Sequence, residues 1–560
     1  MLPYINYPFE YLSGMLGSPP DDLKLIFSFL LSYPLAGLLK RVPDSRPDFK
    51  NIFIISISLF YLVGLFSLWG GLRTLFIASA GTYGLAHFLR TSPYMPWIAF
   101  VFLMGHMAVN QLERQFAGNP ETMDITGTQM VLVMKLSAFA WNVFDGTLPD
   151  SELSELQRAR KIVQMPSILD YAAYVLFFPS LLIGPAFDYN EYRGWIDTSM
   201  FTVPATVDPT KKPPTRHKRK IPRSGTPAMW TMASGLAYIF LFLQFGARFY
   251  PEWMLDDKFL QHSLLRRIFY LHMVGLTVRF KYYGAWLLAE GSCILAGLGY
   301  NGVDPKTGKV SWNRLQNVSP WGVETATNSR GYLENWNMNT NKWLRNYIYL
   351  RVTPKGKKPG FRASMATFVT SAFWHGFYPG YYLTFILASF VQTAAKNMRR
   401  HVRPFFLDPN TQEPLPTKQF YDIASWLATQ LVFSFAVAPF YLLTLPKSLL
   451  VWSRVYFYAV VIVFAGIAFF SSPGKVYLKK ALEERSRKAG VAQLKKSAST
   501  ESLTGHRPEP VLGLNDPVRD VDDAIRELKE AGLDSKQVKA MVEEAIREKQ
   551  IGLKNRSRKA

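Results

Sequence analysis

A single histidine lies inside a long apolar segment of the chain. No aspartate, glutamate, lysine or arginine occurs between Arg362 and Lys396, which flank His375 at a distance on either side. An imidazole held away from water stays uncharged and can accept a proton, so it suits a general base. The alternative is a hydrogen bond that joins two helices within a membrane. Gly376 and Gly380 favour the first interpretation because they leave room beside the ring for a substrate or another backbone.

A cluster of asparagines lies upstream, in the segment Glu334–Leu350. Asn335, Asn337, Asn339 and Asn341 crowd its first half, with Trp336 and Trp343 beside them. A side-chain amide offers a donor and an acceptor without charge, so in a water-poor site it can orient a hydroxyl or donate to an oxyanion. The alternative is an interfacial helix whose aromatic rings lie among lipid headgroups and whose Lys342 and Arg345 face phosphates. The residues alone do not rank one asparagine above the others.

The elements that must position these residues are apolar blocks of membrane length. About 20 mostly apolar residues cross a hydrocarbon core of ~30 Å. The blocks are Leu23–Leu39, Ile52–Leu68, Leu72–Leu89, Trp97–Leu112, Met130–Val143, Tyr171–Phe187, Ala228–Phe245, Ile268–Leu298, Met365–Val391, Trp426–Leu445 and Val455–Phe470. Block 268–298 is long enough for two short spans or one long span. Continuous apolar runs favour helices over a barrel, so we expect an all-α, polytopic transmembrane bundle of about ten or eleven membrane-embedded helices.

The net charge of +23 allows two interpretations. Nucleic-acid binding is one, but positive-inside anchoring explains more because the basic residues cluster in loops and in the tail. One loop contains Lys211, Lys212, Arg216, Lys218, Arg219, Lys220 and Arg223, and another contains Lys355, Lys357, Lys358 and Arg362. We therefore expect both loops and the tail after Lys475 to face the cytosol, and we expect no nucleic-acid partner.

Three regions follow one another along the chain. Residues 1–475 form the predicted membrane domain, 476–515 a polar disordered linker, and 516–560 a small soluble helical hairpin. Within the membrane domain, residues 300–360 are rich in Trp, Tyr and Asn but contain no block long enough to span. This segment is predicted to be an interfacial helix or re-entrant backbone that is buried in protein.

Several short motifs resemble those of a known family. The first set consists of Trp336-Asn337, Lys342-Trp343-Leu344 and Trp374-His375-Gly376. Together they resemble the signature of the membrane-bound O-acyltransferase family. A second set consists of residues 123–130 (MDITGTQM), 141–146 (WNVFDG) and 376–382 (GFYPGYY), and it is similar to the lysophospholipid acyltransferase branch. In the sterol and diacylglycerol acyltransferases the histidine is usually followed by Glu instead. The resemblance covers about residues 20–470.

The resemblance implies which residues act. Its two functional positions, a histidine in the membrane and an upstream asparagine, map onto His375 and Asn337, because the family's asparagine follows the tryptophan of its motif. The candidate substrate-binding residues are Trp336, Glu334, Asn341, Lys342, Trp343, Trp374, Gly376, Asp145 and Glu290. For the intramembrane carboxylates Asp145 and Glu290, a structural hydrogen bond is favoured over a direct role in the reaction.

The resemblance also implies an activity. The expected function is acyl-CoA-dependent O-acylation of lysophospholipids, mainly at the free sn-2 hydroxyl, in glycerophospholipid synthesis and remodelling. Acyl-CoA is then a co-substrate, and neither a cofactor nor a metal is expected. Cys293 is the only cysteine and lies outside both motifs, so no acyl-enzyme is needed. The implied location is the endoplasmic reticulum membrane, and a homodimer is kept open.

Other functions fit parts of the sequence. An acyltransferase for a different lipid alcohol is the alternative within the same class. A multi-span transporter is the alternative in a different class, but transporters often contain internal repeats, and none is evident. A scaffold that recruits partners through its tail is disfavoured by the two intact motifs.

Overall fold

The computed structural model describes residues 3–117, 124–204, 207–208, 210, 212–215, 217, 219–353 and 361–489. Regular structure in these residues is helical, apart from isolated antiparallel bridges such as Val303 to Val310. The first helices are α1 (Pro3–Leu16), α2 (Pro20–Leu39), α3 (Pro47–Leu59), α4 (Trp69–Phe88), α5 (Met95–Ala117), α6 (Thr126–Asp145), α7 (Glu155–Arg160), α8 (Ile168–Val175), α9 (Tyr189–Ile196) and α10 (Gly225–Gly246). The prediction of an all-α fold is confirmed.

The remaining helices complete the described chain. They are α11 (Leu264–Ala296), α12 (Pro320–Glu324), α13 (Ser329–Glu334), α14 (Met338–Leu344), α15 (Phe361–His375), α16 (Pro379–His401), α17 (Lys418–Ala436), α18 (Ala438–Leu442), α19 (Leu445–Arg454), α20 (Tyr458–Ser471) and α21 (Gly474–Lys488). Short π-helical segments, Phe60–Leu65 and Arg345–Tyr349, continue α3 and α14. Single 3-10 turns occupy Asp150–Glu152, Phe178–Ser180, Ser199–Phe201, Pro251–Leu255, Asp257–Gln261 and Arg403–Phe406.

Five helical stretches in the described residues are long and apolar enough to cross a membrane. They are Pro20–Leu39, Pro47–Leu65, Met95–Ala117, Gly225–Leu255 and Lys418–Leu442. A sixth span results if α19 and α20, which meet at an angle of 80°, are counted as one. Other long helices, such as α6 and α11, bury polar side chains among these spans. A helix enclosed by other helices can hold such groups because they find partners inside the protein.

The segment Ile268–Leu298 contains one helix and not two. It corresponds to α11, which packs along α10 through two glycines. The carbonyl oxygen of each glycine, Gly235 and Gly284, lies 3.1 Å from where a Cβ atom of the other would be. A larger residue at either position would push the helices apart, as is usual where small residues line contacts between membrane helices.

The apolar block 365–391 is interrupted, contrary to the prediction of one continuous segment. Helix α15 ends at His375 and α16 begins at Pro379. Between them Gly376 has a φ of +126°, a conformation that costs other residues strain. Proline at the first turn of α16 starts that helix, because its missing N–H would have no helical partner there. The break places His375 at a helix end inside the protein.

The connections after α2, α6, α9 and α11 lie together at one end of the bundle, which we call the loop-rich end. Lys40 donates to the carbonyl of Pro222 at 2.5 Å, and Asn190 donates to the carbonyl of Lys161 at 2.9 Å. At the opposite end, Arg454 donates to the carbonyl of Met254 at 2.9 Å. Arg314, in the connection after α11, pairs with Glu191 at 3.5 Å and so places this connection at the loop-rich end as well.

Part of the predicted linker is helical. Residues 476–488, which were expected to be disordered, lie in α21. Lys, Ala, Leu, Glu and Arg in this stretch are strong helix formers. Arg485 also donates to the carbonyls of Pro404 and Leu407, each at 2.8 Å, and so fastens α21 to the chain after α16. The rest of the linker and the predicted hairpin 516–560 lie outside the described residues.

Candidate active site

Helix α6 holds both candidate motifs through contacts that follow one another along its length. The indole N–H of Trp374, next to His375, donates to the carbonyl of Met130 at 3.0 Å. The hydroxyl of Thr340 lies 3.4 Å from Sδ of Met134. These anchors on α6 are about one turn apart, or about 5.4 Å along its axis. The histidine and asparagine motifs therefore meet the same helix on successive turns.

A pair of tryptophans connects the two motifs directly. The indole N–H of Trp343 donates to the hydroxyl of Ser137, one turn further along α6, at 2.8 Å. Its ring lies 6.1 Å from the ring of Trp374, measured between centroids. Both tryptophans are buried. Trp343 and Trp374, predicted to bind substrate, hold α14 and α15 against α6. Trp343 also lines a cavity beside α6 that is described below.

The ring of His375 is enclosed by aromatic side chains. The centroid of its ring lies 4.9 Å from Phe440, 5.2 Å from Phe385 and 5.8 Å from Tyr381. Its nitrogens have no hydrogen-bond partner within the described ranges of the chain, and the side chain is only partly buried. The interhelical hydrogen bond that was the alternative to a general base is not observed. An uncharged imidazole in this setting can accept a proton from a substrate hydroxyl.

The two glycines after His375 have different roles. A Cβ atom at Gly380 would lie 2.0 Å from the carbonyl oxygen of Pro439, so the room beside this glycine is filled by another backbone. The Gly380 N–H also donates to the carbonyl of Leu443 at 2.8 Å. A Cβ atom at Gly376 would meet only the ring of Tyr381 at 3.4 Å and looser contacts. Gly376 is required chiefly by its left-handed backbone.

Asn337 stands in a strained conformation immediately before α14. Its φ of 44° and ψ of 52° are left-handed, which asparagine tolerates better than most residues. Its Oδ1 accepts a hydrogen bond from the hydroxyl of Thr340 at 2.8 Å. With Oδ1 engaged, the side-chain NH₂ points away, and it has no partner in the described part of the chain. Backbone strain of this kind clusters at functional sites.

The neighbouring asparagines use their amides to hold backbone carbonyls. Asn335 donates to Gly331 at 2.8 Å, Asn339 to Leu315 at 3.2 Å and Gln316 at 3.4 Å, and Asn341 to Leu333 at 2.8 Å and Trp336 at 2.9 Å. All three amides are therefore committed to the fold. Among these four residues Asn337 alone keeps its NH₂ group for another molecule, a distinction that the sequence did not provide.

Trp336 and Glu334 lie beside Asn337 but face protein groups. The ring of Trp336 packs edge-on against Trp286 at 5.0 Å and Tyr282 at 5.7 Å, measured between centroids. Glu334 accepts a hydrogen bond from Arg330, one turn earlier in α13, at 2.6 Å. Both residues, predicted to bind substrate, are placed to shape the turn that carries Asn337.

Asp145 lies at the far end of α6 from Met130. It is fully buried, and its carboxylate receives both terminal nitrogens of Arg351, at 2.7 and 2.5 Å. Gln157 donates to the same carboxylate at 3.1 Å. The Arg351 guanidinium also covers the ring of Trp141 at 4.3 Å. The position of Asp145 and these contacts agree with the structural role that was favoured for it.

Glu290 of α11 contacts the asparagine segment through Asn317. Its Oε2 accepts the backbone N–H of Asn317 at 3.4 Å. Asn317 in turn accepts two backbone N–H groups, from Met338 at its carbonyl, 2.8 Å away, and from Asn339 at its Oδ1, 3.2 Å away. Glu290 thus acts through Asn317 on the first turn of α14, directly after Asn337.

A cavity of about 540 Å³ opens beside the middle of α6. Its lining includes Arg160, Arg314, Lys342, Asp188 and Glu191. Arg160 pairs with Asp188 at 3.1 Å and Arg314 with Glu191 at 3.5 Å, whereas Lys342 has no ion pair within the described residues. Burial, reinforced by the Asp188 charge, raises the pKa of Glu191. The cavity suits an anionic ligand with a polar body.

The sequence interpretation missed most of this cavity. Arg160, Asp188, Glu191 and Arg314 come from three separate connections and belong to none of the motifs. Only their meeting at the loop-rich end reveals them, and no local pattern could have done so. Of the predicted substrate-binding residues, Lys342 alone both lines the cavity and presents a charge to it.

Nothing in the described residues suggests a metal or a covalent intermediate. No group of three or more His, Cys, Asp or Glu side chains within those residues could hold a metal ion. Cys293 is buried in α11. The imidazole of His375 can transfer a proton, and the amide of Asn337 can donate hydrogen bonds.

Comparison with known proteins identifies the family. Residues 117–438 match the model of the membrane-bound O-acyltransferase family. A lysophospholipid acyltransferase of Schizosaccharomyces pombe is 44% identical over 517 residues, which cover 92% of this chain and 98% of that protein. A lysophospholipid acyltransferase of Saccharomyces cerevisiae is 46% identical, over 82% of this chain and 75% of that protein. The human membrane-bound glycerophospholipid O-acyltransferase 2 is 32% identical, over 64% of this chain and 67% of that protein.

These relatives confirm the resemblance on which the sequence interpretation rested, and with it a multi-pass membrane protein. The family match contains both motifs, since it spans Asn337 and His375. The chain belongs to the membrane-bound O-acyltransferase family.

Proposed function

We propose that this acyltransferase transfers the acyl group of acyl-CoA to the free hydroxyl of a lysophospholipid, mainly at sn-2. One observation carries the proposal. On successive turns of α6 the fold presents an imidazole without a hydrogen-bond partner, that of His375, and an amide NH₂ without one, that of Asn337, both within the described residues. The names of the relatives, lysophospholipid acyltransferase and glycerophospholipid O-acyltransferase, support the choice of substrate.

His375 and Asn337 have different roles in the proposed reaction. His375 removes the proton from the acceptor hydroxyl as its oxygen attacks the thioester carbonyl carbon. The NH₂ group of Asn337 donates to the oxygen of that carbonyl as negative charge develops on it, or to the attacking hydroxyl. The C–S bond then breaks, the imidazolium of His375 returns its proton to the CoA thiolate, and the diacyl phospholipid and CoA leave.

The cavity beside α6 is our candidate for the CoA portion of the donor. CoA carries several phosphates, and an unpaired lysine ammonium is a point charge that binds phosphate well. Lys342 supplies such a charge. It lies in α14, less than two turns after Asn337, and lines the cavity. Arg160 and Arg314 add further cations, although both share their charge with carboxylates.

We further propose an endoplasmic reticulum location with the loop-rich end and the tail in the cytosol. Described basic residues at that end include Lys40, Arg41, Lys212, Arg219, Lys220 and Arg223, and cytosolic loops carry an excess of Lys and Arg. Lys211, Arg216, Lys218 and residues 355–358 lie outside the described residues. Protease protection of a C-terminal tag in microsomes tests the orientation. The mass of the detergent-solubilised protein tests whether the chain forms the homodimer that the sequence left open.

The activity can be tested with the purified full chain in lipid nanodiscs. Labelled acyl-CoA would be supplied with lysophosphatidylcholine, lysophosphatidylethanolamine, lysophosphatidylserine, diacylglycerol or a sterol. We expect labelled phospholipid from the lysophospholipids and stoichiometric release of CoA thiol, which a thiol reagent can follow because Cys293 is buried. Acylation of diacylglycerol or sterol without acylation of any lysophospholipid would replace the proposal by the other lipid alcohol.

A further inference from the structure

A second set of polar groups flanks His375 on the side away from the CoA cavity. Helix α5 reaches this place through Gln111, whose amide donates to the carbonyl of Trp374 at 2.8 Å. Arg114 lies three residues further along α5, so it projects from the same face of that helix. It pairs with Asp124, just before α6, at 3.6 Å. Arg114 therefore lies near the N-terminal end of α6, about one turn beyond the peptide that carries His375.

Two tyrosines connect this arginine to both catalytic candidates. The ring of Tyr381 lies 5.8 Å from that of His375. The ring of Tyr282 lies 5.7 Å from that of Trp336, the neighbour of Asn337. Tyr381 and Gln111 meet at Gly376, where an added Cβ atom would lie 3.4 Å from the Tyr381 ring and 3.8 Å from the amide carbon of Gln111. Arg114 follows Gln111 by about one turn of α5 and interacts electrostatically with the hydroxyls of both tyrosines.

The hydroxyls of these tyrosines are not used by the fold. Neither Tyr282 nor Tyr381 makes a hydrogen bond through its hydroxyl within the described residues. Both side chains are only partly buried, so their hydroxyls remain open to a polar ligand at this place. A cation with two hydroxyl donors suits an anion with several oxygens, of which a phosphate is the commonest in lipids.

The ion pair with Asp124 does not exclude such a ligand. Asp124 also accepts the backbone N–H and the hydroxyl of Thr126, at 2.9 and 2.7 Å, so its charge is shared with the start of α6. A guanidinium carries five N–H donors in a planar fork and can bind two anions at once. The side chains of Arg114 and Asp124 are about one third exposed, 34% and 31%, so a ligand can reach them.

The order of contacts along α6 indicates whether the phosphate bound near Arg114 belongs to acyl-CoA or to the lysophospholipid. The CoA cavity touches α6 at Met134 and Ala138, on the side of its C-terminal half. His375 is anchored at Met130, and Arg114 lies beyond it near Asp124. The CoA cavity and Arg114 thus lie on opposite sides of His375 along α6. One can hold the donor while the other holds the acceptor.

We propose that Arg114, Tyr282 and Tyr381 bind the phosphate of the lysophospholipid acceptor and so present its free hydroxyl to His375. This assignment rests on the proposed function. In a lysophospholipid only four covalent bonds separate the phosphorus from the sn-2 oxygen, so a fixed phosphate fixes the hydroxyl. Since every glycerophospholipid has this phosphate, the site accepts different headgroups.

The test compares Michaelis constants for the two substrates of the full-length protein in nanodiscs. Arg114→Gln should raise the KM for lysophosphatidylcholine and for lysophosphatidylethanolamine by about 10- to 100-fold, as expected for a lost charge-assisted hydrogen bond. The KM for acyl-CoA should stay within about twofold, and kcat should change little because the bond exists equally in the ground state and the transition state. Arg114→Lys should restore part of the affinity.

Two further variants guard against a purely structural effect. Tyr282→Phe and Tyr381→Phe each keep the ring and remove the hydroxyl, and each should raise the acceptor KM by about 2- to 10-fold. Arg73→Gln is the matched control, because Arg73 is an exposed arginine on the second turn of α4 at the same end of the bundle.

The outcomes separate this inference from the proposed function. An acceptor KM that is unchanged in Arg114→Gln and in both tyrosine variants would overturn it, as would an equal rise in the KM for acyl-CoA. Failure of the wild-type chain to acylate any lysophospholipid would instead overturn the proposed function itself.

Discussion

The indole N–H of Trp374 donates to the backbone carbonyl of Met130 at 3.0 Å and thereby ties the end of α15 to α6. Because His375 is the next residue, this bond limits where its imidazole can point. General-base catalysis requires the base to lie within hydrogen-bond reach of the proton that it removes. The position of the base is thus set by a helix that contributes no reacting group of its own.

Substitution His375→Ala should lower kcat by about 10²–10⁴-fold, the usual contribution of a positioned general base. The ring contacts aromatic side chains and makes no hydrogen bond within the described residues, so its removal should leave the protein folded. Turnover and elution in size-exclusion chromatography would be measured together. Full activity in a normally eluting variant would end the assignment of His375.

The substitution Lys342→Gln should raise the KM for acyl-CoA by about tenfold and leave the acceptor KM unchanged. Lys342 is the cavity cation with neither an ion pair nor a hydrogen bond in the described residues, since Arg160 and Arg314 are ion-paired and Lys135 donates to the carbonyl of Tyr174. A charge-assisted bond to a phosphate contributes on this scale. Raising the ionic strength should reduce the difference between the variant and the wild type. Lys309→Gln, at an exposed position in the nearby loop, is the control. An effect on acceptor KM alone would assign the cavity to the lipid.

The sequence predicted a bundle of apolar helices because length and apolarity determine them. It expected about ten or eleven, whereas five helical stretches in the described residues, or six if α19 and α20 count as one, are long and apolar enough to cross a membrane. It did not predict the break between α15 and α16, since Gly376 and Pro379 interrupt a segment that is otherwise apolar throughout. Helix α6 was recognised as the apolar block Met130–Val143 and as a carrier of family motifs, but its role in positioning both candidates was not. Its role depends on contacts such as Ser137 with Trp343, which join positions about 200 residues apart, and no local pattern encodes such distances.

The choice among the asparagines likewise depends on contacts that the sequence does not encode. Alternating asparagines beside tryptophans indicated a polar site or an interfacial helix, and the family motif alone selected Asn337. The physical reason is visible only in three dimensions, where Asn335, Asn339 and Asn341 each donate to backbone carbonyls. The acceptor-side group Arg114 was missed altogether, because nothing in its sequence neighbourhood distinguishes it from other arginines.

The substitution Asp145→Ala should destabilise the protein strongly without acting on chemistry. It would leave the Arg351 guanidinium unpaired at a place where the carboxylate is fully buried, a change that costs about 3–5 kcal/mol. The double variant Asp145→Ala with Arg351→Leu should recover part of this loss, because no charge is then left unpaired. Thermal unfolding in detergent measures both. A kcat loss at unchanged stability would instead indicate a direct role for Asp145.

Substitution Asn337→Ala should reduce kcat by about 10²–10³-fold, the typical effect of removing one oxyanion donor. The acyl-CoA KM should change little, since an interaction made only in the transition state appears in kcat. The stability should fall by about 1–2 kcal/mol, because alanine tolerates the left-handed backbone less well than asparagine and the hydrogen bond with Thr340 is lost.

The neighbouring asparagines provide the internal control for this prediction. Asn339→Ala and Asn341→Ala should lower the unfolding temperature, because each leaves backbone carbonyls without their donor, at a cost of about 1–3 kcal/mol when these are buried. Their kcat, measured well below that temperature, should remain closer to the wild-type value. If one of these variants loses turnover at normal stability while Asn337→Ala keeps it, the oxyanion donor must be reassigned to that neighbour, and the left-handed turn at Asn337 becomes a feature of the fold alone.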